Sequence, residues 1–183
     1  MILVNYCKRL WGYILKGRGE IVCGISGSGK DFWIKNNLSN LREINTNRLL
    51  ASEVYNNNDE IMDLLQNNDK MKEYKQKIGC KILDISRYKD IVINTHLSHS
   101  INDAYFQDIS IFEYIKNDNL KIILAEPEVI LDRRINDLEN RNRKIKSISD
   151  IEYEQEYEFN VAKTVCDKFG MKIVEIYNNN INL

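Results

Sequence analysis

The sequence predicts an α/β fold built on a parallel sheet, and three observations lead there. Residues 21–31, IVCGISGSGKD, run from an apolar strand through a glycine-rich turn into a segment able to open a helix. Further along, short apolar runs alternate with helical patterns, as parallel strands joined by crossover helices require. At 183 residues the chain has the length of one domain with a sizeable core.

The elements follow in order. Residues 1–18 form an N-terminal extension in which Ile2, Tyr6, Leu10 and Ile14 recur at helical spacing. Lys8 and Arg9 interrupt its apolar residues, so a signal peptide is a poor match. An amphipathic helix packed on the core is preferred over membrane-surface contact by Trp11 and Tyr13. The domain proper spans 19–183, with candidate strands at 21–25, 42–45, 90–94, 120–125 and 172–177. Helices are read at 47–56, 60–66, 70–86, 109–116, 127–139 and 150–169. Pro127 suits a first helical turn, Glu128 suits the dipole there, and Gly170 suits a helix stop. Asparagines at 56–58, 67–68 and 178–180 read as turns or a frayed tail.

Composition narrows the classes. Hydrophobic residues at 43% and charged residues at 29% are ordinary for a globular protein. A formal net charge of −1 argues against general nucleic-acid binding. No apolar run approaches the ~20 residues of a membrane span. Cys7, Cys23, Cys80 and Cys166 stand far apart without a C-x-x-C pair, which reads as reduced thiols in the cytoplasm rather than zinc ligands or a disulfide framework. His96 and His99 alone make a poor metal site.

The glycine-rich turn carries the chemistry. GISGSGKD matches the phosphate-binding pattern G-x-x-x-x-G-K-[ST] except at its last position. Such a loop wraps phosphates with successive backbone N–H groups, so the turning points must lack side chains; Gly24, Gly27 and Gly29 meet that need. Ser26 and Ser28 lie between them, and Lys30 offers a compact charge to the β- and γ-phosphates of ATP. The helix that follows presents its N-terminus to the same anion.

Two more segments extend the site. In IVINTH, 91–96, Asn94 and Thr95 end a strand, where open α/β sheets bind ligands. A magnesium-positioning acid is expected near Asn94, yet the residue is an amide. LDRRINDLENRNRKIKS, 131–147, gathers Arg133, Arg134, Arg141, Arg143 and Lys144. On a helix, Arg134 and Arg141 share a face, and Arg133 forms an i,i+4 pair with Asp137. A charge run is usually a solvated face. Here its place, after a fourth strand, favours a phosphate-gripping lid.

Together these residues resemble the archaeal-type adenylate kinases, a P-loop nucleoside monophosphate kinase family. GISGSGK is similar to the family's P-loop, and NTNRLLASEV, 45–54, to the start of its monophosphate-binding helices. INTH, 93–96, is similar to its D-T-H strand end, RRINDLENRNR, 133–143, to its arginine-bearing lid, and EQEYEFN, 154–160, to its last long helix. The resemblance implies a three-layer P-loop kinase fold with a five-stranded parallel sheet ordered 2-3-1-4-5. It implies transfer of the γ-phosphoryl group of Mg-ATP to AMP, with Mg2+ and ATP as cofactors and nucleotides as partners. Lys30, Arg134, Arg141 and Arg143 would be catalytic. Thr46 and Arg48, with Thr95 and His96, would face the acceptor.

The chain departs from the pattern at Asp31, where a magnesium-binding hydroxyl is usual, at Asn94, where an acid is usual, and at Met62, where an arginine is usual. Carboxylate to amide at 94 removes a negative charge and hydroxyl to carboxylate at 31 restores it. Asp31 and Asn94 are therefore the candidate metal residues. The alternatives are a P-loop kinase for another small acceptor and a weakened nucleotide-binding regulatory protein. A homo-oligomer stays open.

Overall fold

The computed structural model describes residues 19–54, 68–86, 90–101, 104–107, 109–113, 115, 117–137 and 146–179. The extension 1–18, the helix read at 60–66, Met62, Arg141, Arg143 and Lys144 lie outside the described residues. In chain order the elements are β1 Gly19–Cys23, α1 Lys30–Asn37, β2 Arg42–Asn45, α2 Thr46–Val54 and α3 Asn68–Ser86. Then come β3 Ile91–Asn94, β4 Ser98–Ile101, β5 Ala104–Gln107, a 3-10 turn Ser110–Glu113, β6 Asn119–Leu124, α4 Pro127–Asn136, α5 Ile148–Phe169 and β7 Lys172–Tyr177.

The main sheet is parallel throughout, in the order β2-β3-β1-β6-β7. Counting only its own strands, this is the expected 2-3-1-4-5. Two short elements differ from expectation. Residues 98–107 hold a separate antiparallel hairpin, β4 against β5, where no strand was expected. Both runs are four residues long and weakly patterned, and such ribbons depend on packing for their stability. That packing comes from Tyr105, whose ring lies 5.2 Å from the rings of both Tyr153 and Tyr157 on α5. Where a helix is expected at 109–116, the described residues form a 3-10 turn at Ser110–Glu113, while Ile111, Phe112 and Ile115 are buried.

Alternation along the strands sorts the layers. Ile21, Cys23, Ile44, Ile91, Ile93, Leu120, Ile122 and Leu124 face one way and join Ile78 and Ile82 of α3 and Val161, Ala162 and Val165 of α5 in the largest core. Val22, Val92 and Ile123 face the other way, against Ile34 of α1. Glu43, Asn45 and Asn94 have the parity of Val92, so they belong to the α1 face. The central strands β1, β3 and β6 are thereby covered on both sides, as parallel sheets demand, while the edge strands β2 and β7 stay largely exposed or half-buried.

Helix ends follow their sequences. Ser147 and Asp150 form a capping box on α5, and Gly170 closes it at φ 69°. Asn45 Oδ1 accepts from the backbone N–H groups of Asn47 and Arg48, capping α2. Cys23 and Cys166 are free and buried. Cys80, in contrast, is disulfide-bonded, against the sequence expectation. Spacing along a chain does not report distance across a fold. Among the described residues no helix is long and apolar enough to cross a membrane.

Candidate phosphate-binding site

The loop between β1 and α1 lies where the strand order reverses, with β3 on one side of β1 and β6 on the other. Gly24 has φ 142°, and a Cβ there would lie 2.6 Å from the Ile123 carbonyl oxygen, so the loop leaves the sheet only because that position has no side chain. Gly29, at φ 83°, caps α1, and a Cβ would run into the Asn178 amide.

Side chains hold the rear of the loop by its carbonyls. Arg134, on α4, donates to Ser26 O from Nε at 2.8 Å and from Nη2 at 2.6 Å. Arg133 donates to Gly27 O at 3.2 Å and to Asn178 O at 2.8 Å. Asn178 Nδ2 in turn reaches Ser28 O at 3.4 Å and Gly29 O at 3.2 Å. These carbonyls are thus engaged through Arg133, Arg134 and Asn178, all of them buried. Expected in a frayed tail, Asn178 instead follows β7 directly, and its own N–H bonds Leu124 O at 2.8 Å. Glu154 of α5 fixes Arg134 from the far side, at 3.1 Å from Nη1 and 3.2 Å from Nη2. Lys146 joins the same carboxylate at 3.3 Å. Burial pulls the Lys146 ammonium down, and Glu154 and Tyr105 outweigh it, so its pKa is raised.

Lys30 opens α1 and is 6% exposed. Its Nζ lies 3.2 Å from Gly24 O and 3.4 Å from His96 Nε2. Burial lowers its pKa, and Asp31, Glu158, Cys23 and Glu43 oppose that. Glu158 is buried on α5, where it accepts from Leu97 N at 2.9 Å and Ser98 Oγ at 2.5 Å. Desolvation still raises its pKa. The Cys23 thiol is pushed well up by its complete burial. Ser28 Oγ is buried with no hydrogen-bond partner among the described residues.

Asp31 and Asn94 do come together, because Val22 of β1 pairs with Asn94 of β3 and brings it beside the loop. Asn94 Nδ2 donates to Asp31 Oδ1 at 2.8 Å and to Glu43 Oε1 at 2.6 Å. Glu43 was missed from the sequence. It pairs with Val92, two residues before Asn94, so it reaches the amide diagonally across the β2–β3 ladder. Only the register reveals that.

On the acceptor side, Thr46 Oγ1 donates to Thr95 Oγ1 at 2.9 Å, and Thr95 Oγ1 donates to His96 O at 3.2 Å. Both threonines are buried, while Arg48 is exposed on α2. Hydroxyls, an imidazole and the buried ammonium thus converge at the carboxyl ends of β1 and β3. Such a set can bind and orient anionic groups.

The family model described as "AAA domain" matches residues 23–152. The chain belongs to that family. An adenylate kinase from Methanothermobacter thermautotrophicus is 25% identical over 176 residues, covering 88% of this chain and 91% of the relative. A shikimate kinase from Acinetobacter baumannii, solved with shikimate, superposes with a TM-score of 0.54 at 11% identity, covering 96% of this chain and 89% of that one. The likeness to the solved structure establishes the P-loop kinase fold. With the family match and the relative, this AAA-domain family member is an adenylate kinase-like P-loop kinase, as its motifs indicated.

Proposed function

We propose that the protein transfers the γ-phosphoryl group of Mg-ATP to a nucleoside monophosphate, with AMP the leading acceptor. The observation that carries this reading is the loop held from behind. With the carbonyls of Ser26, Gly27, Ser28 and Gly29 engaged on one side, the loop's N–H groups other than that of Ser28, which donates to Ile25 O, would be set in advance for phosphate oxygens on the other. Lys30 would shift from Gly24 O to the β- and γ-phosphates, where anionic charge offsets the cost of its burial. Thr46, Thr95, His96 and Arg48 would hold the acceptor. For Arg141 and Arg143 the charge-neutralising role rests on sequence resemblance alone. Arg134, expected to grip phosphate, bonds Ser26 O and Glu154, and its proposed part is to brace the loop.

The residues present fit Mg2+. Asp31 supplies a hard carboxylate oxygen, and Asn94 Oδ1 is a buried oxygen with no hydrogen-bond partner among the described residues. When bound, the ion would neutralise phosphate charge and fix its orientation. A coupled assay with ATP and a panel of nucleoside monophosphates, plus shikimate, tests the reading. ADP formed with AMP supports it. ADP formed only with another acceptor moves the activity to that acceptor, and ATP binding without turnover on any acceptor overturns it in favour of a regulatory role.

A further inference from the structure

We infer that Glu43 is the second carboxylate of a divalent-cation site at the loop, paired with Asp31 and organised by Asn94. The inference rests on the nucleotide-binding reading and adds a residue to it.

The geometry is specific. A strand, β2, contributes Glu43; the first turn of α1 contributes Asp31; the end of β3 contributes Asn94, on the face that α1 covers. One amide nitrogen bonds both carboxylates, at 2.6 and 2.8 Å, which holds two like charges close to one another. Two carboxylates drawn together repel unless a positive charge lies between or beside them. The neutral amide relieves the repulsion by hydrogen bonding, and the Lys30 ammonium beside the pair relieves part of the rest. Asn94 is 1% exposed, and the oxygen of the same amide is buried without a hydrogen-bond partner among the described residues. An unsatisfied buried carbonyl is costly unless a ligand completes it.

Asp31 follows Lys30 directly in the first turn of α1, which places the pair beside the loop. A hard cation bound by Asp31, Glu43 and the Asn94 carbonyl would face the same phosphates as the ammonium. The arrangement also accounts for the amide at position 94. An aspartate there would set three carboxylates against one another, whereas asparagine provides donors for two of them and an oxygen for the ion. The exchange at 31 and 94 is thus extended by a charge on β2.

Glu43 is exposed, so Glu43→Gln leaves the fold intact and keeps an oxygen able to accept from Asn94. The test measures binding of a non-hydrolysable ATP analogue by calorimetry, without metal and with Mn2+, alongside the Mn2+ paramagnetic signal. In the wild type Mn2+ should tighten analogue binding. Glu43→Gln should weaken Mn2+ binding by ~10-fold or more, while metal-free analogue binding should tighten because a negative charge beside the phosphates is removed, and Glu43→Asp should restore part of the Mn2+ binding. An undiminished Mn2+ effect in Glu43→Gln overturns the inference, as does a wild type that binds the analogue with no response to Mn2+. A wild type that binds no analogue under either condition overturns the nucleotide reading itself, and the inference with it.

Discussion

The rear and the front of the phosphate loop are built on opposite terms. At the rear, the carbonyls of Ser26, Gly27, Ser28 and Gly29 accept from side chains, and those side chains are themselves anchored to Glu154 or to the backbone after β7. At the front, Ser28 Oγ and Asn94 Oδ1 are buried without partners among the described residues, and the Lys30 ammonium is buried where its charge is penalised. The contrast teaches a division of labour. The carbonyls that shape the loop are satisfied within the chain, while Ser28 Oγ and Asn94 Oδ1 are left for a charged ligand to complete.

The largest effect should come from the front. Lys30→Met removes the one charge in the loop and keeps the length of the side chain. Turnover should fall by about 10²- to 10³-fold, as for the loss of a single preorganised electrostatic group. Stability in the absence of nucleotide should hold or rise, because a buried cation has been replaced by an apolar group. Thermal unfolding beside the coupled assay checks both. A large loss of stability would mean that Lys30 belongs with the bracing residues, and the contrast would break.

At the rear the effect should be smaller and reversed in kind. Asn178→Ala removes the amide that reaches Ser28 O and Gly29 O, leaving these carbonyls less well held, while the bond from Arg133 to the backbone carbonyl of residue 178 remains. Stability should drop by about 1–3 kcal/mol, and analogue affinity should fall with it. Ile78→Val, a core change on α3 away from the loop, is the comparison, at about 0.5–1.5 kcal/mol. If it weakens nucleotide binding as much for a given loss of stability, Asn178 merely holds the fold together.

How much of this could be seen in the sequence divides along the same line. The sheet order, the loop and Lys30 were legible because strand, turn and helix are contiguous there. Asp31 and Asn94 were legible as a pair through their charges, and their hydrogen bond bears out the proximity. Glu43 was not, since its contact depends on the register of β2 against β3. Nor was Asn178, an asparagine in a run of them, which is buried only because β7 lies beside β6 and ends behind the loop. Arg134 was named, but its partners were not. A helical face says that two arginines are neighbours, and says nothing of the Ser26 carbonyl or Glu154 on the other side.

The smallest effect separates a buried charge that structure tolerates from one that a ligand would use. Glu158 lies beyond Lys30, held by Leu97 N and Ser98 Oγ. Burial raises its pKa above the ordinary value of 4.5 despite those bonds and the nearby ammonium. Between the ordinary and the raised value, the folded state keeps a proton that the unfolded chain releases. Its contribution to stability is therefore complete below pH 4.5 and is lost as pH rises through the folded pKa. Urea unfolding from the acid range to neutrality should show this decline, and Glu158→Gln should flatten it. Lys30 has the opposite sign, because its lowered pKa makes stability rise with pH on the alkaline side, toward 10.5. Saturating nucleotide should reduce the Lys30 slope and leave the Glu158 slope in place. If both slopes respond alike, the two charges form one coupled unit, and the division between the satisfied and the waiting side of the loop runs behind Glu158 instead of through Lys30.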